Sequence, residues 1–214
     1  MALNLYFLRH GQTDSSRDNV FCGSGLNPDL TPDGRAMADA FASAYSDKQW
    51  QAIFSSPLNR ARETAAPVAA TSGVTAEVRD ELREIGYGAW EGKTVEEVDR
   101  EYHDDYTRWL ADPGWNAPTG GGETANAVAS RVLRFTEDVT RRCNDGDVLV
   151  VSHKATIRIV LCALIGIDVG RFRYRLGCPV ASVSVVEFGK HGPLLHRLAD
   201  RAHLDARLRN LPGT

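Results

Sequence analysis

The 214-residue chain lacks the cysteine patterns of metal-binding and disulfide-rich proteins. The chain contains no C-x-x-C pair, and its four cysteines are widely spaced, at Cys22, Cys143, Cys162 and Cys178. Three of them lie in or near apolar segments, where a free thiol behaves as a small buried hydrophobic group. The spacing therefore argues against a zinc ribbon and indicates buried thiols rather than bridges.

Long runs of positive charge or of apolar residues are also missing. No Lys/Arg run exceeds two residues and the formal net charge is −3, which does not support nucleic-acid binding. No apolar stretch approaches the ~20 residues that span a bilayer, and the N-terminus lacks the pattern of a signal peptide. We expect a cytoplasmic protein with neither a nucleic-acid nor a membrane partner. A local arginine cluster can still attract an anion.

The composition is that of an ordinary globular protein, with 43% hydrophobic and 25% charged residues. The length fits one domain with a sizeable core, so we expect residues 1–214 to form a single domain. Strand-like and helix-like segments alternate without repeats or an obvious linker. This alternation predicts an α/β fold, a three-layer sandwich whose mostly parallel central sheet has helices on both faces.

Hydrophobic periodicity and turn residues place the elements along the chain. Strands are predicted at 3–9, 51–56, 74–79, 147–152 and 181–188. Helices are predicted at 31–45, 94–110, 123–142 and 154–164, and a further helix begins at residue 56 and kinks or ends at Pro67. The strand at 181–188 is expected at an exposed edge, where it either pairs with a second copy or is covered by a helix, and we favour a homodimer. The polar tail after Asp205 is expected to fray.

Two of the apolar segments end in histidine. Residues 5–8 are followed by Arg9, His10 and Gly11, and the strand at 147–152 is followed by His153. Open α/β sheets bind ligands at the carboxyl ends of their strands. If both strands are parallel, the two imidazoles lie at the same edge of the sheet. The alternative interpretation is a pair of strands that simply end in polar surface residues.

A third strand-to-helix junction places Arg60 on the first turn of its helix. Helix N-termini favour anions, and the helix after His153 offers the backbone amides of Lys154 and Ala155. Two histidines, at least two arginines and several N–H donors suit a phosphoryl group, whose transfer depends mostly on positioning and charge stabilisation.

This chemistry predicts a role for each group. One imidazole attacks phosphorus as a neutral nucleophile, and the other stabilises the phosphoryl oxygens. Arg9 and Arg60 bind these oxygens through bidentate contacts. The leaving alkoxide needs a proton donor, and Glu84, which precedes a glycine turn, is the best candidate because a partly buried carboxyl near phosphate can keep its proton.

Five sequence blocks resemble the histidine phosphatase superfamily, in particular its phosphoglycerate-mutase-like branch. They are LRHGQT at 8–13, SSPLNRARETA at 55–65, LREIGYGAWEG at 82–92, GGET at 121–124 and VVSH at 150–153. The resemblance implies His10 as the phosphorylated nucleophile, Arg9, Arg60 and His153 as the phosphate pocket, and Glu84 as proton donor and then as the base that activates water. It implies no metal and no cofactor, and a small phosphorylated metabolite as substrate.

The substrate rim is less clear, because residues 14–23 depart from the family pattern. Ser16 stands where relatives often carry Asn, and Arg17 or Asn19 are candidates to replace missing groups. For Glu123, a pocket role and a helix-end charge are both open. Similarity to metal-independent phosphoserine phosphatases extends to the C-terminal region and includes His203. The predicted substrate-binding residues are Ser16, Cys22, Gly23, Tyr87, Lys154 and His203.

Three other functions remain open. A phosphoglycerate-type mutase on the same scaffold would have to keep water from the phosphohistidine, and this chain is short where longer mutase-like relatives carry an insertion and a covering tail. A catalytically silent module that binds phosphorylated ligands is the alternative of another class. A metal enzyme built on the two histidines would need a carboxylate near His10, and Asp14 is the close candidate.

Overall fold

The computed structural model describes residues 2–213, which contain one six-stranded sheet of order β3-β2-β4-β1-β5-β6. The strands β1, β2, β3 and β4 are mutually parallel, whereas β5 is antiparallel to β1 and β6 is antiparallel to β5. The strands are β1 (Leu3–Arg9), β2 (Trp50–Ser55), β3 (Ala76–Val78), β4 (Gly146–Ser152), β5 (Val183–Gly189) and β6 (Gly192–Asp200). The predicted mostly parallel sheet is confirmed.

Helices cover both faces of this sheet. Side chains of α5 and α6 pack on one face with Leu5 and Phe7 of β1, and those of α2 and α3 pack on the other with Tyr6 and Leu8. The α-helices are α1 (Asp14–Arg17), α2 (Pro32–Ala44), α3 (Asn59–Ser72), α4 (Val95–Ala111), α5 (Ala125–Arg142), α6 (Lys154–Leu164), α7 (Phe172–Arg175) and α8 (Ala206–Arg209). The three-layer arrangement is therefore the predicted one.

The central strands β1 and β4 form because their sequences are apolar almost throughout. Strands buried on both faces need near-continuous apolar runs, and the last five residues of both β1 and β4 are buried. Their register pairs Leu5 with Val148 and Arg9 with Ser152. Both strands therefore end at the same level, with their final residues next to each other.

Helix α3 differs from its predicted start and end. It begins at Asn59 rather than at Ser56-Pro57, with no side-chain cap, and it continues past Pro67 to Ser72. A proline inside a helix removes one N–H bond. Ala61, Ala65 and Val68 pack against the sheet on both sides of that position, and this tertiary packing holds the helix together across the lost bond.

The C-terminal region contains more structure than predicted. The strand expected at an edge, β5, lies between β1 and β6, so β6 is the edge strand on this side. The tail after Asp205 does not fray at once: Asp205 caps α8, and Leu208 is buried beside Met37. The carbonyl of Pro212 accepts a hydrogen bond from Gln12 Nε2 at 2.6 Å. Within residues 2–213, no helix is long and apolar enough to cross a membrane.

Candidate active site

The two histidines predicted to meet lie side by side at the carboxyl ends of β1 and β4. Their ring centroids are 5.2 Å apart, and both side chains are buried. Because β4 is the neighbour of both β1 and β2, the residues that follow these three strands converge. Arg60, on the first turn of α3, completes the group from the β2 side.

His10 is held in a single neutral form. Its Nδ1 lies 2.7 Å from the carbonyl oxygen of Gly11, and because a carbonyl only accepts, Nδ1 carries the hydrogen. Burial, and then the nearby charges of Arg60 and Arg9, lower the pKa of His10 well below its ordinary value. The lone pair is therefore on Nε2, which gives His10 the form that nucleophilic attack requires.

The two predicted arginines are fixed by backbone carbonyls and not by carboxylates. Arg9 Nη1 donates to the carbonyl of Cys178 at 2.7 Å, whereas its Nε is buried and has no acceptor among the described residues. Burial lowers the pKa of Arg9 to about 10, so the guanidinium stays charged at neutral pH. Arg60 donates from Nη1 and Nη2 to the carbonyls of Leu26 and Gly23. Both side chains keep further N–H groups for an anion.

His153 has a different environment from His10. Its Nδ1 is 3.2 Å from Arg60 Nε, and because an arginine N–H only donates, Nδ1 is the acceptor. The hydrogen is then on Nε2, which lies 2.7 Å from Ser56 Oγ. Burial and the charge of Arg60 lower the pKa of His153 well below its ordinary value. In this structure the ring therefore orients Arg60 and does not itself line the cavity.

Glu84 occupies the N-terminus of α6. Its Oε1 accepts from the backbone N–H groups of Ile85 and Thr156, and its Oε2 accepts from that of Ala155. Of the two helix-end amides predicted to bind phosphate, those of Lys154 and Ala155, the amide of Ala155 thus binds this carboxylate instead. Thr156 Oγ1 lies 3.0 Å from Glu84 Oε1 and 2.7 Å from the carbonyl of Arg83. With its hydrogen directed to the carbonyl of Arg83, this hydroxyl presents a lone pair to Glu84 Oε1.

A buried ion pair supports the backbone that carries Glu84. Arg131 binds Glu123 through Nε and Nη2, both at 3.1 Å. It also donates to the carbonyls of Glu81, Arg83 and Glu84, and Glu123 accepts from the N–H of Gly86 at 2.9 Å. Glu123 therefore has a supporting position behind the site and does not line the cavity.

A cavity of about 540 Å³ opens in front of these residues. We call its deep part, formed by Arg9, His10, Arg60 and Glu84, the inner cradle. A second group of residues that line the cavity, which we call the outer wall, consists of Trp109, Lys154, Arg158, Phe172 and Arg173. Four of the predicted substrate-binding residues line the cavity, namely Ser16, Cys22, Tyr87 and Lys154.

The other two predicted substrate-binding residues do not line it. Gly23 contributes its carbonyl to Arg60, and a Cβ at this position would lie 2.4 Å from Glu91 Oε1, so it shapes the loop behind the cavity. His203 lies edge-on against Phe41, with ring centroids 5.2 Å apart, on the face of the sheet covered by α2. Burial lowers the pKa of His203 to about 4. His203 is therefore a half-buried residue that packs against α2, outside the cavity.

In the loop that departs from the family pattern, residues 14–23, some of the predicted residues line the cavity and others do not. Ser16 Oγ is engaged locally, because it accepts from Thr13 N and donates to Thr13 O in the cap of α1. Asn19 lines the cavity in a left-handed conformation, with φ 55°. Arg17 points away and pairs with Asp14 and Asp18 on the surface. Of the two candidates to replace missing groups, only Asn19 faces the cavity.

The sequence interpretation missed several residues of the site. Arg158 lies four residues after Lys154 on α6, and this helical spacing was a usable signal because it places both side chains on one face. Ser56, which contacts His153, belonged to a block that was already recognised. Arg173 and Trp109 gave no signal, because one lies on a four-residue helix and the other on a helix that is far from the strand ends in sequence.

Phosphoryl transfer requires positioning of the phosphorus and stabilisation of negative charge. The strand ends supply both, with a neutral imidazole next to two guanidinium groups in a buried site. The fold and the site thus define an enzyme that acts on phosphoryl groups. In residues 2–213, no three His, Cys, Asp or Glu side chains are grouped as a metal ion would require.

Comparison with known proteins places the chain in a family. The profile of the histidine phosphatase superfamily (branch 1) matches residues 5–201. Phosphoserine phosphatase 1 of Hydrogenobacter thermophilus is 33% identical over 202 residues, which are 94% of each chain. The adenosylcobalamin/alpha-ribazole phosphatase of Escherichia coli is 28% identical over 82% of this chain and 87% of its own length.

A solved structure supports the same assignment. The native structure of mycobacterial glucosyl-3-phosphoglycerate phosphatase superposes with a TM-score of 0.85 at 27% identity, over 94% of this chain and all of the other. The chain therefore belongs to the histidine phosphatase superfamily, and it is a phosphatase.

Proposed function

We propose that the protein hydrolyses phosphomonoesters of small metabolites through a phosphohistidine on His10, without a metal. The observation that carries this proposal is the neutral imidazole of His10, with its Nδ1 bound to the Gly11 carbonyl. Its free Nε2 lies in the same cavity as Arg9, Arg60 and Glu84. The relatives named for phosphoserine and alpha-ribazole phosphate support a small phosphorylated substrate.

In the first half-reaction, the Nε2 lone pair of His10 forms a bond to phosphorus as the ester P–O bond breaks. The leaving oxygen takes the proton of Glu84, and the alcohol departs. Arg9 and Arg60 stabilise the charge on the three equatorial oxygens. His153 holds Arg60 in place through the bond between Arg60 Nε and His153 Nδ1.

In the second half-reaction, the carboxylate of Glu84 removes a proton from a water molecule. The water oxygen forms a bond to phosphorus as the P–N bond to His10 breaks. Inorganic phosphate leaves, and both His10 and the protonated Glu84 are restored.

The test is hydrolysis of p-nitrophenyl phosphate in the presence of EDTA. We expect activity in the wild type, a loss on the order of 10⁴-fold in His10→Ala, and no loss in His191→Ala, an exposed histidine on the surface. Equal turnover in His10→Ala, or abolition of activity by EDTA, would overturn the proposal. A mutase would return the phosphoryl group to a bound intermediate, so release of stoichiometric inorganic phosphate separates the two reactions.

We also infer that residues 1–214 form one domain and that the protein acts in the cytoplasm as a homodimer. One sheet with core clusters on both faces supports the single domain. The edge strand β6, with Leu194 and Leu198 exposed, is the surface for pairing with a second copy. Light scattering tests this inference. We expect the molar mass of a dimer for the wild type and that of a monomer for Leu194→Lys.

A further inference from the structure

The two histidines of the site carry their hydrogen on different nitrogens. Both are neutral, because burial lowers the pKa of each imidazole well below its ordinary value. His10 has its hydrogen on Nδ1, where the carbonyl of Gly11 accepts it at 2.7 Å. His153 has its lone pair on Nδ1, because the Nε–H of Arg60 donates to that atom at 3.2 Å. A group outside the proposed reaction, Ser56, accounts for this difference.

The hydroxyl of Ser56 is the acceptor for the Nε2–H of His153. Ser56 Oγ lies 2.7 Å from His153 Nε2, and both residues are completely buried, with 0% of their surface exposed. In the other neutral tautomer, an N–H on Nδ1 would face the Nε–H of Arg60, so that two donors would oppose each other. A buried N–H without an acceptor is costly. The contact with Ser56 therefore favours the tautomer in which His153 accepts from Arg60.

Ser56 is itself fixed by hydrogen bonds. Its N–H donates to the carbonyl of Val151 at 3.0 Å, and its carbonyl accepts from Ser55 Oγ at 2.8 Å. Its Oγ also accepts from the N–H of Leu58 at 3.3 Å. The residue lies between the end of β2 and the first turn of α3. An acceptor fixed at this point holds the histidine ring in one orientation.

The guanidinium of Arg60 depends on this ring for part of its orientation. Nη1 and Nη2 donate to the carbonyls of Leu26 and Gly23, at 2.9 and 3.1 Å. The third contact, from Nε to His153, connects the group to the end of β4. One N–H on each Nη is left for the phosphoryl oxygens, and its direction follows from the plane that the three contacts define. Such donors stabilise a transition state only when they point at the developing charge.

We propose that Ser56 is a positioning residue for the phosphoryl reaction: its hydroxyl selects the Nε2–H tautomer of His153, and this tautomer directs Arg60 towards the phosphoryl group. The proposal rests on the proposed phosphatase function, because it concerns charge that develops in that reaction. Ser56 does not line the cavity, so it acts through its neighbours and not on the substrate. Its loss should therefore weaken stabilisation of the transition state more than binding of the substrate.

The tautomer can be read by ¹⁵N NMR of the histidine rings without any turnover. In the wild type, we expect a protonated Nε2 and an unprotonated Nδ1 for His153, the reverse of His10. His153→Gln and His10→Ala assign the two sets of signals. In Ser56→Ala, the Nδ1–H form of His153 should appear while the signals of His10 stay as they are. An Nδ1–H form of His153 in the wild type, or an unchanged tautomer in Ser56→Ala, would overturn the proposal.

Kinetics and ligand binding test the consequence for Arg60. We expect kcat of Ser56→Ala for p-nitrophenyl phosphate to fall about tenfold, while KM changes less than about twofold. The affinity for vanadate, which takes the five-coordinate geometry of the transition state, should fall as much as kcat, whereas the affinity for inorganic phosphate changes little. A rise in KM with unchanged kcat would make Ser56 a binding residue and overturn the positioning role.

Ser184→Ala is the matched control. Ser184 is buried, with 2% of its surface exposed, and its hydroxyl accepts the N–H of Ala199 at 3.0 Å, outside the cavity. This variant should lose stability in thermal unfolding, as Ser56→Ala does, but keep kcat and vanadate affinity. Ser56→Cys is a second variant that nearly keeps the size of the side chain and offers only a weak acceptor, so it should also lose kcat. An equal fall of kcat in Ser184→Ala, or full kcat in both Ser56 variants, would overturn the positioning role.

The positioning role and the proposed function fail in different ways. Full kcat in the Ser56 variants, with hydrolysis that still depends on His10, overturns the role of Ser56 alone. Hydrolysis that does not depend on His10 overturns both, even if the NMR spectra show the expected tautomer of His153.

Discussion

The inner cradle and the outer wall line the same cavity but are built differently. In the inner cradle, Arg9 and His10 lie at the end of a parallel strand and Arg60 lies in the first turn of a helix. Backbone groups fix the reacting side chains, as the Gly11 carbonyl fixes His10 and three N–H groups fix Glu84. In the outer wall, aromatic rings contact the arginines, and Arg158 Nε and Arg173 Nη1 have no acceptor among residues 2–213. The cradle is thus preorganised for one reaction, whereas the wall is suited to recognition.

This difference predicts that changes in the cradle alter the chemical step and changes in the wall alter substrate choice. The four predictions below proceed from the largest expected effect to the smallest. Each one is a way to break that distinction or to make it sharper.

Glu84→Gln removes the proposed acid and base but keeps the size of the side chain. We expect kcat to fall by about 10²- to 10⁴-fold for alkyl phosphates, because their leaving oxygen needs a proton. The loss in the first half-reaction is much smaller for p-nitrophenyl phosphate, whose leaving group departs without one. A leaving-group series measured by single-turnover kinetics checks this, and equal losses across the series would contradict the assignment.

Arg131→Met breaks the ion pair that supports the Glu84 backbone. Three carbonyls and Glu123 lose their donor, and a buried acceptor left without its partner costs about 1–3 kcal/mol. We expect a lower free energy of unfolding in urea and a kcat reduced about tenfold, while KM changes little.

Arg131→Lys is the control for this prediction. It restores the charge but not the fork that reaches several acceptors, so it should recover part of the stability and less of kcat. A rise in KM with unchanged kcat would place Arg131 in substrate binding instead.

The pH dependence separates the wall from the cradle. Lys154, which faces Arg9, Arg158, Cys178 and Glu84, has its pKa lowered to about 8. It is therefore charged below pH 8 and loses its charge as the pH rises through that value. We expect kcat/KM, which reports the free enzyme, to fall above pH 8, and kcat to fall less because bound phosphate holds the proton on Lys154.

On the acid side, the pKa of His10 lies well below its ordinary value of 6.5. Its nucleophilic lone pair thus persists as the pH falls through 6.5 and is lost only at lower pH. Lys154→Met should remove the alkaline limb at pH 8 and leave this acid limb in place. An alkaline limb that survives in Lys154→Met would assign it to another group.

Arg17→Ala should have the smallest effect. This side chain pairs with Asp14 and Asp18 at the surface and does not line the cavity. Exposed ion pairs of this kind are screened by water and contribute little, and the side chain lies outside the cavity, so we expect kcat/KM to change less than about twofold. A larger change would mean that Arg17 contacts the substrate after all, and that the wall includes the loop at residues 14–19.

The position of the inner cradle could be predicted well because short, continuous segments of the sequence indicate it. An apolar run followed by Arg9 and His10, and another followed by His153, indicate strands whose ends are polar, and parallel pairing brings such ends together. The partners of His153 were not predictable. Two strand-end histidines look alike in sequence, and the choice between facing the cavity and orienting Arg60 depends on the packing around each ring.

The wall and the C-terminal region were predicted poorly, for two physical reasons. Strand β6 is mostly exposed and carries no clear hydrophobic alternation, so it lacked the pattern of a half-buried strand. Arg173 belongs to a helix of four residues, too short for periodicity to show. His203 was placed at the pocket by resemblance, but it lies half-buried against the aromatic ring of Phe41, outside the cavity.

Rapid quenching of the wild type with a ³²P-labelled phosphomonoester tests the central claim most directly. The account predicts an acid-labile, base-stable phosphoryl group on the peptide that contains His10, formed before alcohol release is complete and absent from His10→Ala. A label on His153, or steady turnover with no labelled histidine at any time, would contradict it.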